Sequence, residues 1–144
     1  MIREMDQEDL QACAAIFTAA FSLPPYNEPW TVDAARLRLH ELFGLPRRVA
    51  LVAREGTGLA GFVLGALETG PWGLGLYCYE LAVTPEAKGM GFGHRLMEAF
   101  EQAGKQAGVK HVWLIAHSGS DAAAFYGRRG YQVSSKVRVL TKEL

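Results

Sequence analysis

The chain has 144 residues, 49% of them apolar and 21% charged, so it can build a hydrophobic core and does not have the composition of a disordered protein. At this length we expect one domain spanning residues 1–144. Its 15 basic and 15 acidic residues cancel, which argues against nucleic acid as a partner.

The N-terminal residues and the cysteines predict a cytoplasmic protein that has no membrane partner. Charges interrupt the first ten positions, MIREMDQEDL, and no apolar run approaches the ~18 residues of a membrane span. Cys13 and Cys78 lie in apolar stretches and form no CxxC pair, so we expect reduced core residues. The four histidines lack metal-ligand spacing, and no metal site is expected.

The first third of the chain predicts a short strand followed by two helices. Met1–Arg3 forms the strand, and Asp6 caps a helix that stops before Pro24. Thr31 caps the second helix, which Gly44 ends. The proline-rich segment LPPYNEPW connects the two helices.

The rest of the chain predicts a mixed order of strands and helices. It comprises strands at Val49–Arg54, Leu59–Leu67 and Leu76–Val83, a helix at Gly91–Gly108, a strand at Val109–Ala116, a helix at Ser120–Arg129, and terminal strand material at Tyr131–Thr141. This order predicts an α/β (α+β) fold whose twisted sheet has helices on both faces.

A glycine-rich turn joins the third of these strands to the following helix. Gly89, Gly91 and Gly93 alternate directly before the helix, where free backbone N–H groups and the helix dipole favour an anion. Lys88 or Arg95 would add positive charge. The spacing is neither a Walker P-loop nor a GxGxxG dinucleotide fingerprint. A flexible connection that is merely rich in glycine is the alternative.

This turn resembles the acyl-CoA pyrophosphate loop of the GNAT superfamily of N-acyltransferases, whose pattern is [RQ]xxGx[GA]. Lys88, Gly91 and Gly93 stand at the three defined positions, with Lys88 in place of the usual Arg or Gln. Further on, AAAFYGRRGY, residues Ala122–Tyr131, is similar to the family pattern AxxFYxxxGF. Gly119 stands where the family often has an asparagine that contacts the cofactor.

The resemblance implies a mixed, mostly antiparallel sheet with splayed central strands, and an N-acetyltransferase that uses acetyl-CoA. It also implies a set of cofactor-binding residues, on the splayed strand and in the loop. They are Leu81, Ala82, Val83, Lys88, Gly89, Met90, Gly91, Phe92, Gly93 and His94. One peptide N–H group of the strand would polarise the acyl carbonyl.

Glu80 is the candidate general base. It is a carboxylate within the apolar strand YCYELAV, where burial would raise its pKa toward the range that suits a base. Strict strand alternation predicts that it shares a face with Cys78 and Ala82. In many GNAT enzymes, a glutamate on this strand serves as the base. The alternative is a carboxylate that orients substrate or pairs with an arginine or lysine.

Two further residues are candidates for proton transfer. The resemblance implies that Tyr126, the tyrosine of the FY pair, protonates the departing thiolate, and the alternative is a tyrosine that packs in the core. His117 ends the preceding strand and is either an auxiliary base or an ordinary loop histidine.

The acceptor is expected to be a primary amine of a small molecule or peptide. Tyr26, Glu28 and Trp30 could hold a cationic amine beside Glu80, or their loop could simply cover the core. The identity of the amine and the question of a homodimer stay open. Two alternatives to an enzyme are a catalytically silent acyl-CoA-binding module and a nucleotide-binding domain.

Overall fold

The computed structural model describes every residue from 1 to 144. It contains five strands, namely β1 (Ile2–Glu4), β2 (Arg48–Glu55), β3 (Gly58–Gly70), β4 (Gly73–Val83) and β5 (Val112–Leu114). The four helices are α1 (Leu10–Phe21), α2 (Val32–Phe43), α3 (Phe92–Ala107) and α4 (Asp121–Arg128). None of these helices combines the length and hydropathy that crossing a membrane would require.

The strands form one sheet in the order β1-β2-β3-β4-β5. Each neighbouring pair is antiparallel except β4 and β5, which run parallel. The prediction of a mixed, mostly antiparallel sheet is therefore confirmed.

The residues that were expected to begin and end helices do so. Asp6 caps a 3₁₀ turn that leads into α1, and the Thr31 hydroxyl accepts a hydrogen bond from the Ala34 N–H at 3.1 Å. Gly108 ends α3 with a φ of 93°, in the left-handed region that glycine adopts without strain. Local capping chemistry thus fixes these helix boundaries.

Two apolar clusters lie on opposite faces of the sheet. Helices α1 and α2 bury one face, where Phe17, Leu39 and Phe62 are fully enclosed. Helix α3 covers the other face with Leu96 and Phe100. The helices therefore lie on both faces, as predicted.

A β-bulge in β4 changes the direction of its side chains. Leu64 of β3 is paired with Glu80, but the next residue, Gly65, is paired with Cys78, so Tyr79 is an additional residue in β4. Cys78 therefore lies on the α3 face, whereas Ala82 lies on the face covered by α1 and α2. The expectation that Glu80 shares a face with Cys78 is wrong, because strict alternation fails at a bulge.

Strands β4 and β5 separate after a short parallel contact. The three residues of β5 pair with Leu76–Cys78, whereas β4 continues to Val83. The observed strand is shorter than the predicted Val109–Ala116. The central strands are therefore splayed, and one edge of β4 is left open beyond Cys78.

The C-terminal segment departs from the prediction. Tyr131–Thr141 was expected to contribute strand, but no strand follows α4. Val133 is 99% exposed and Leu140 is 90% exposed. A strand needs a paired backbone and a face to bury, and neither is provided here. The expectation of terminal strand material is wrong.

Candidate active site

The gap between β4 and β5 holds a cavity of about 110 Å³. Residues of both strands line it, together with side chains from the α1–α2 loop and from α4. They are Phe21, Tyr26, Cys78, Tyr79, Glu80, Leu81, Leu114, Ile115, Ala116, His117, Ala122 and Tyr126. A larger cleft of about 980 Å³ adjoins this cavity, and the two share Phe21, Tyr26, Leu81, Ala122 and Tyr126.

Glu80 lines the small cavity as a largely buried carboxylate. Its Oε1 accepts hydrogen bonds from Nε and Nη2 of Arg38 at 3.3 and 3.2 Å, while Oε2 has no partner in the protein. Burial raises the pKa of Glu80 to about 7, against the opposing effect of Arg38 and with a small added contribution from Glu28. Near neutral pH this group can therefore exchange a proton through a free oxygen.

Tyr126 lies where the cavity meets the cleft. Its hydroxyl makes no hydrogen bond to any other group of the protein, although its ring packs edge-on against Phe125 and Tyr131. Burial raises the pKa of Tyr126 well above its usual value. The hydroxyl therefore keeps its proton at neutral pH and is free to donate it.

Cys78 and His117 are the other groups of the cavity that could react. Burial raises the pKa of the Cys78 thiol to about 12, so it is protonated and weakly nucleophilic near neutral pH. Nδ1 of His117 lies 3.0 Å from the Ser118 carbonyl oxygen and donates to it. In the neutral ring Nε2 is then the unprotonated nitrogen.

The glycine-rich turn presents unsatisfied donors to the large cleft. Gly91 caps α3 with a φ of 87°, and Gly89 has a φ of 84°. Five backbone N–H groups have no acceptor within the protein. Four belong to the consecutive residues Gly91, Phe92, Gly93 and His94, and the fifth belongs to Gly89. Donors of this kind at a helix N-terminus form an anion site. Met90 does not line the cleft, and its side chain is exposed.

The open edge of β4 supplies further backbone groups. The Thr84 N–H donates to the Ala60 carbonyl at 2.8 Å. This bond shows which residues of β4 direct their peptide groups toward β3 and which direct them away. In an antiparallel ladder, every second residue turns its peptide groups away from the partner strand. Leu81 and Val83 therefore direct N–H and C=O groups into the cleft, whereas those of Ala82 pair with β3.

Basic side chains line the cleft. Lys88 was expected there from the sequence, whereas Arg128 and Arg129 were not. Lys88 lies on its rim, 3.4 Å from Asp121 at the start of α4. Arg128 and Arg129 also line the cleft; Arg129 donates to Nδ1 of His94 at 2.6 Å and forms an ion pair with Glu101, so Arg128 is the arginine whose charge is free. The Nε of Arg129 is buried and has no partner. The two arginines stand in GRRGY, where their charge was visible in sequence but their position was not.

The loop between α1 and α2 contributes one of its three predicted acceptor residues to the cavity. The Tyr26 ring lines both spaces and lies edge-on to Phe21 and His117. Trp30 packs edge-on against Phe17, and its Nε1 donates to Glu28 at 2.8 Å. Neither Glu28 nor Trp30 lines the cavity or the cleft, and Trp30 covers the core.

Arg38 is a site residue that the sequence did not reveal. It lies in α2, 42 positions before Glu80, and no local spacing links the two. The side chain of Glu80 is 15% exposed and that of Arg38 is 36% exposed, so solvent screens the pair only in part. The pairing moderates the pKa of Glu80 and fixes one of its oxygens.

Several solved structures share the fold of this chain. Among solved structures, a transcriptional regulator from Bacillus halodurans C-125 superposes with a TM-score of 0.79 at 18% identity, covering 100% of this chain and 99% of that one. An aminoglycoside acetyltransferase, meta-AAC0020, from an uncultured soil metagenomic sample gives 0.75 at 20% identity, covering 100% and 95%. The aminoglycoside 6'-N-acetyltransferase AAC(6')-IG from Acinetobacter haemolyticus gives 0.77 at 13% identity, covering 100% and 99%.

At these identities the structural matches establish a shared fold. No curated protein sequence matches the chain significantly. The sequence model of the Acetyltransferase (GNAT) family, however, matches residues 11–131. That span contains Glu80, the glycine-rich turn and Tyr126, together with every residue that lines the cavity or the cleft. The chain belongs to the GNAT family of acetyltransferases.

Proposed function

We propose that this protein transfers an acetyl group from acetyl-CoA to a primary amine of a small molecule or peptide. The observation that carries the proposal is the shared cavity of Glu80 and Tyr126, which opens onto a cleft lined by unsatisfied N–H groups. The carboxylate would accept a proton from the amine, and the phenol would give one to the leaving thiolate.

The residues of the cleft fit the chemistry of acetyl-CoA. The N–H groups around Gly91 would bind the pyrophosphate, with the positive charges of Lys88 and Arg128 nearby. The free peptide groups of Leu81 and Val83 would pair with the amide-containing arm as a neighbouring strand does. Acetyl-CoA supplies the acyl carbon, which forms a bond to the amine nitrogen as the bond to sulfur breaks.

Burial shifts the pKa values of Glu80 and Tyr126 upward, which brings the carboxyl into the range of a base and keeps the phenol protonated, although it makes the phenol a weaker acid. A carboxyl group with a pKa of about 7 is partly ionised at neutral pH and can accept a proton through Oε2. The phenol of Tyr126 holds its proton and has no competing partner. An N–H group of the open edge, that of Leu81 or Val83, would stabilise the negative charge on the carbonyl oxygen.

We infer direct transfer to the amine without an acyl-enzyme. Cys78 is the only thiol of the cavity, and its pKa of about 12 leaves little thiolate near neutral pH. Its side chain also lies on the α3 face of the sheet, whereas Glu80 and Ala82 lie on the other face. A buried thiol in this position packs as a small core residue.

A second candidate function is acyl-CoA binding without turnover. The ion pair between Arg38 and Glu80 favours it, since a carboxylate that is occupied by an arginine can be purely structural. The two functions share the cleft and differ in the fate of the thioester. Release of free thiol in the presence of an amine is the measurement that separates them.

We expect acetyl-CoA to stabilise the protein against heat, and ATP or NAD not to do so. A ligand at 100 times its Kd adds about 2.7 kcal/mol to the free energy of unfolding, which raises Tm by several degrees in a domain of this size. Thermal unfolding with each ligand checks this, followed by thiol release with a panel of amines. An unchanged Tm at saturating acetyl-CoA would contradict the proposal.

Tyr126→Phe should lower turnover about 100-fold, the lower end of a typical acid–base contribution. The loss should persist at high pH, because the missing proton serves the leaving group. Acetyl-CoA binding and Tm should stay close to the parent values, since the hydroxyl has no partner in the protein. Thiol-release kinetics and thermal unfolding test both statements.

Tyr131→Phe is the matched control for this variant. Its hydroxyl donates to Glu101 at 2.8 Å, and its ring contacts that of Tyr126 without lining the cavity. We expect this control to lose some stability and to keep its turnover. Parental turnover in Tyr126→Phe would remove the phenol from the mechanism.

A further inference from the structure

A row of three aromatic rings leads out of the small cavity. Tyr79 lines the cavity, the Tyr77 ring lies edge-on to it at 4.4 Å, and the Trp113 ring lies 4.2 Å from Tyr77. We call these three residues the aromatic row. Tyr77 and Trp113 are opposite each other in the register of β4 and β5, so their side chains share one face of the sheet.

The aromatic row is not part of either core cluster. Tyr79 packs at the margin of the cluster under α1 and α2, but Tyr77 and Trp113 join neither cluster. Trp113 is 48% exposed. The rings thus contact one another at a surface that the helices leave open, and packing in a core cluster does not account for Tyr77 and Trp113.

The charges beside the aromatic row are mainly acidic. The Tyr79 hydroxyl donates to Oε2 of Glu68 at 2.9 Å, while Oε1 of Glu68 has no partner. Glu80 lies at one end of the row and Glu28 is close enough to raise its pKa. The charge of Arg38 acts on Tyr77 and Tyr79, but Arg38 is paired with Glu80. Two further basic side chains lie near Glu68: His111 packs over Gly75, the strand partner of Glu68, and Arg47 donates to the hydroxyl of Thr69.

The bulge in β4 connects this surface with the candidate base. Because Tyr79 is the additional residue, Tyr79 and Glu80 both turn toward the face that carries Tyr77. Glu68 is four residues along β3 from the partner of Glu80, which corresponds to about 14 Å between strand positions. A molecule whose amine reaches Glu80 can therefore extend along the row toward Glu68.

We propose that the aromatic row and Glu68 form a second subsite for the acceptor, and that the preferred acceptor is an elongated amine with a second cationic group. Ring faces and a free carboxylate oxygen are the groups that attract an ammonium ion at a surface. The proposal rests on the acetyl transfer proposed above. It adds that the non-reacting end of the acceptor is also positively charged.

The first test compares each linear diamine with a monoamine of the same carbon count. The probes are 1,4-diaminobutane, 1,6-diaminohexane and 1,8-diaminooctane, with butylamine, hexylamine and octylamine as partners. We expect kcat/KM of the longer diamines to exceed that of their partners by about tenfold, combining a cation–ring contact with a charge contact. Equal values at all three lengths would overturn the proposal.

Variants of the subsite provide the second test. Trp113→Ala should reduce the ratio of diamine to monoamine kcat/KM about fivefold. Glu68→Gln keeps an acceptor for the Tyr79 hydroxyl while it removes the charge, and should reduce the ratio several-fold. Trp72→Ala is the control, because Trp72 is 86% exposed in the β3–β4 turn. Equal ratios in Trp113→Ala and Trp72→Ala would refute the subsite.

A binding measurement separates this proposal from the proposed acetyl transfer. Tryptophan fluorescence should change on addition of 1,8-diaminooctane in the parent and in Trp72→Phe, and should not change in Trp113→Phe. If this pattern holds but no amine releases thiol, the subsite stands and acetyl transfer fails. If amines release thiol but the fluorescence change survives in Trp113→Phe, acetyl transfer stands and the subsite fails.

Discussion

Glu80→Gln is expected to lower kcat/KM for an amine about 100-fold near neutral pH, which is the usual size of a general-base contribution. Glutamine has nearly the same shape and can still accept the hydrogen bonds from Arg38 through its amide oxygen. The variant therefore loses the base and keeps the packing. Thiol-release kinetics over a range of pH measure the effect.

The rate deficit of Glu80→Gln should become smaller as the pH rises. In the parent, the rate rises as Glu80 ionises around its pKa of about 7, and is then level up to the pKa of the amine, about 10.4 for a lysine-like group. Without a base, the variant reacts only with amine that is already neutral, and below the pKa of the amine this neutral fraction rises tenfold per pH unit. The deficit should therefore shrink about tenfold for each unit above pH 7.

Two further variants test whether the pH dependence belongs to Glu80. Arg38→Met removes a group that lowers the pKa of Glu80, so the parental inflection should move to higher pH. Glu55→Gln removes a charge at the exposed end of β2 and should leave the profile unchanged. A Glu80→Gln enzyme with parental rates from about pH 6 to 9 would assign the base to His117, a water chain or solvent.

Much of the fold follows from local features of the sequence. Thr31 and Gly108 fix helix ends because capping is decided by a hydroxyl or by a missing Cβ, within a few residues. The glycine-rich turn could also be located, since the left-handed φ of Gly91 is a local requirement. These parts of the structure depend on neighbours in the chain.

The parts that were missed depend on distant residues. The bulge at Tyr79 is a relation between β3 and β4, and the letters YCYELAV alternate equally well without it. Arg38 reaches Glu80 across the fold, and nothing in the sequence near either residue indicates the pair. The valines of the C-terminal segment favour a strand, but strand formation also needs a partner edge.

Gly91→Asp is expected to abolish stabilisation by acetyl-CoA, with the largest effect of any single change considered. The residue caps α3, and its N–H is one of the free donors of the turn. A carboxylate at this point would face the phosphates, and like charges in contact cost about 3 kcal/mol or more, which weakens binding more than 100-fold. Thermal unfolding with acetyl-CoA, compared with the parent, measures the loss.

The fold itself should tolerate this variant. No atom lies within 4 Å of a Cβ built on Gly91, and aspartate is among the residues that enter the left-handed region most readily. An aspartate at the start of the helix is favoured by the helix dipole, whereas a φ of 87° strains any residue that has a Cβ. The Tm without ligand should therefore fall modestly, and by a similar amount in Gly91→Asn, so that loss of the acetyl-CoA effect relative to each variant's own Tm reports binding.

Two controls separate charge from shape and from backbone strain. Gly91→Asn has nearly the same shape and conformational tolerance without the charge, and should weaken binding only about tenfold if repulsion supplies most of the effect. Gly108→Asp places the same residue at the other end of α3, where φ is 93° and no atom is within 4 Å of the new Cβ. That variant should bind acetyl-CoA normally. If Gly91→Asp does so too, the pyrophosphate site lies outside this turn.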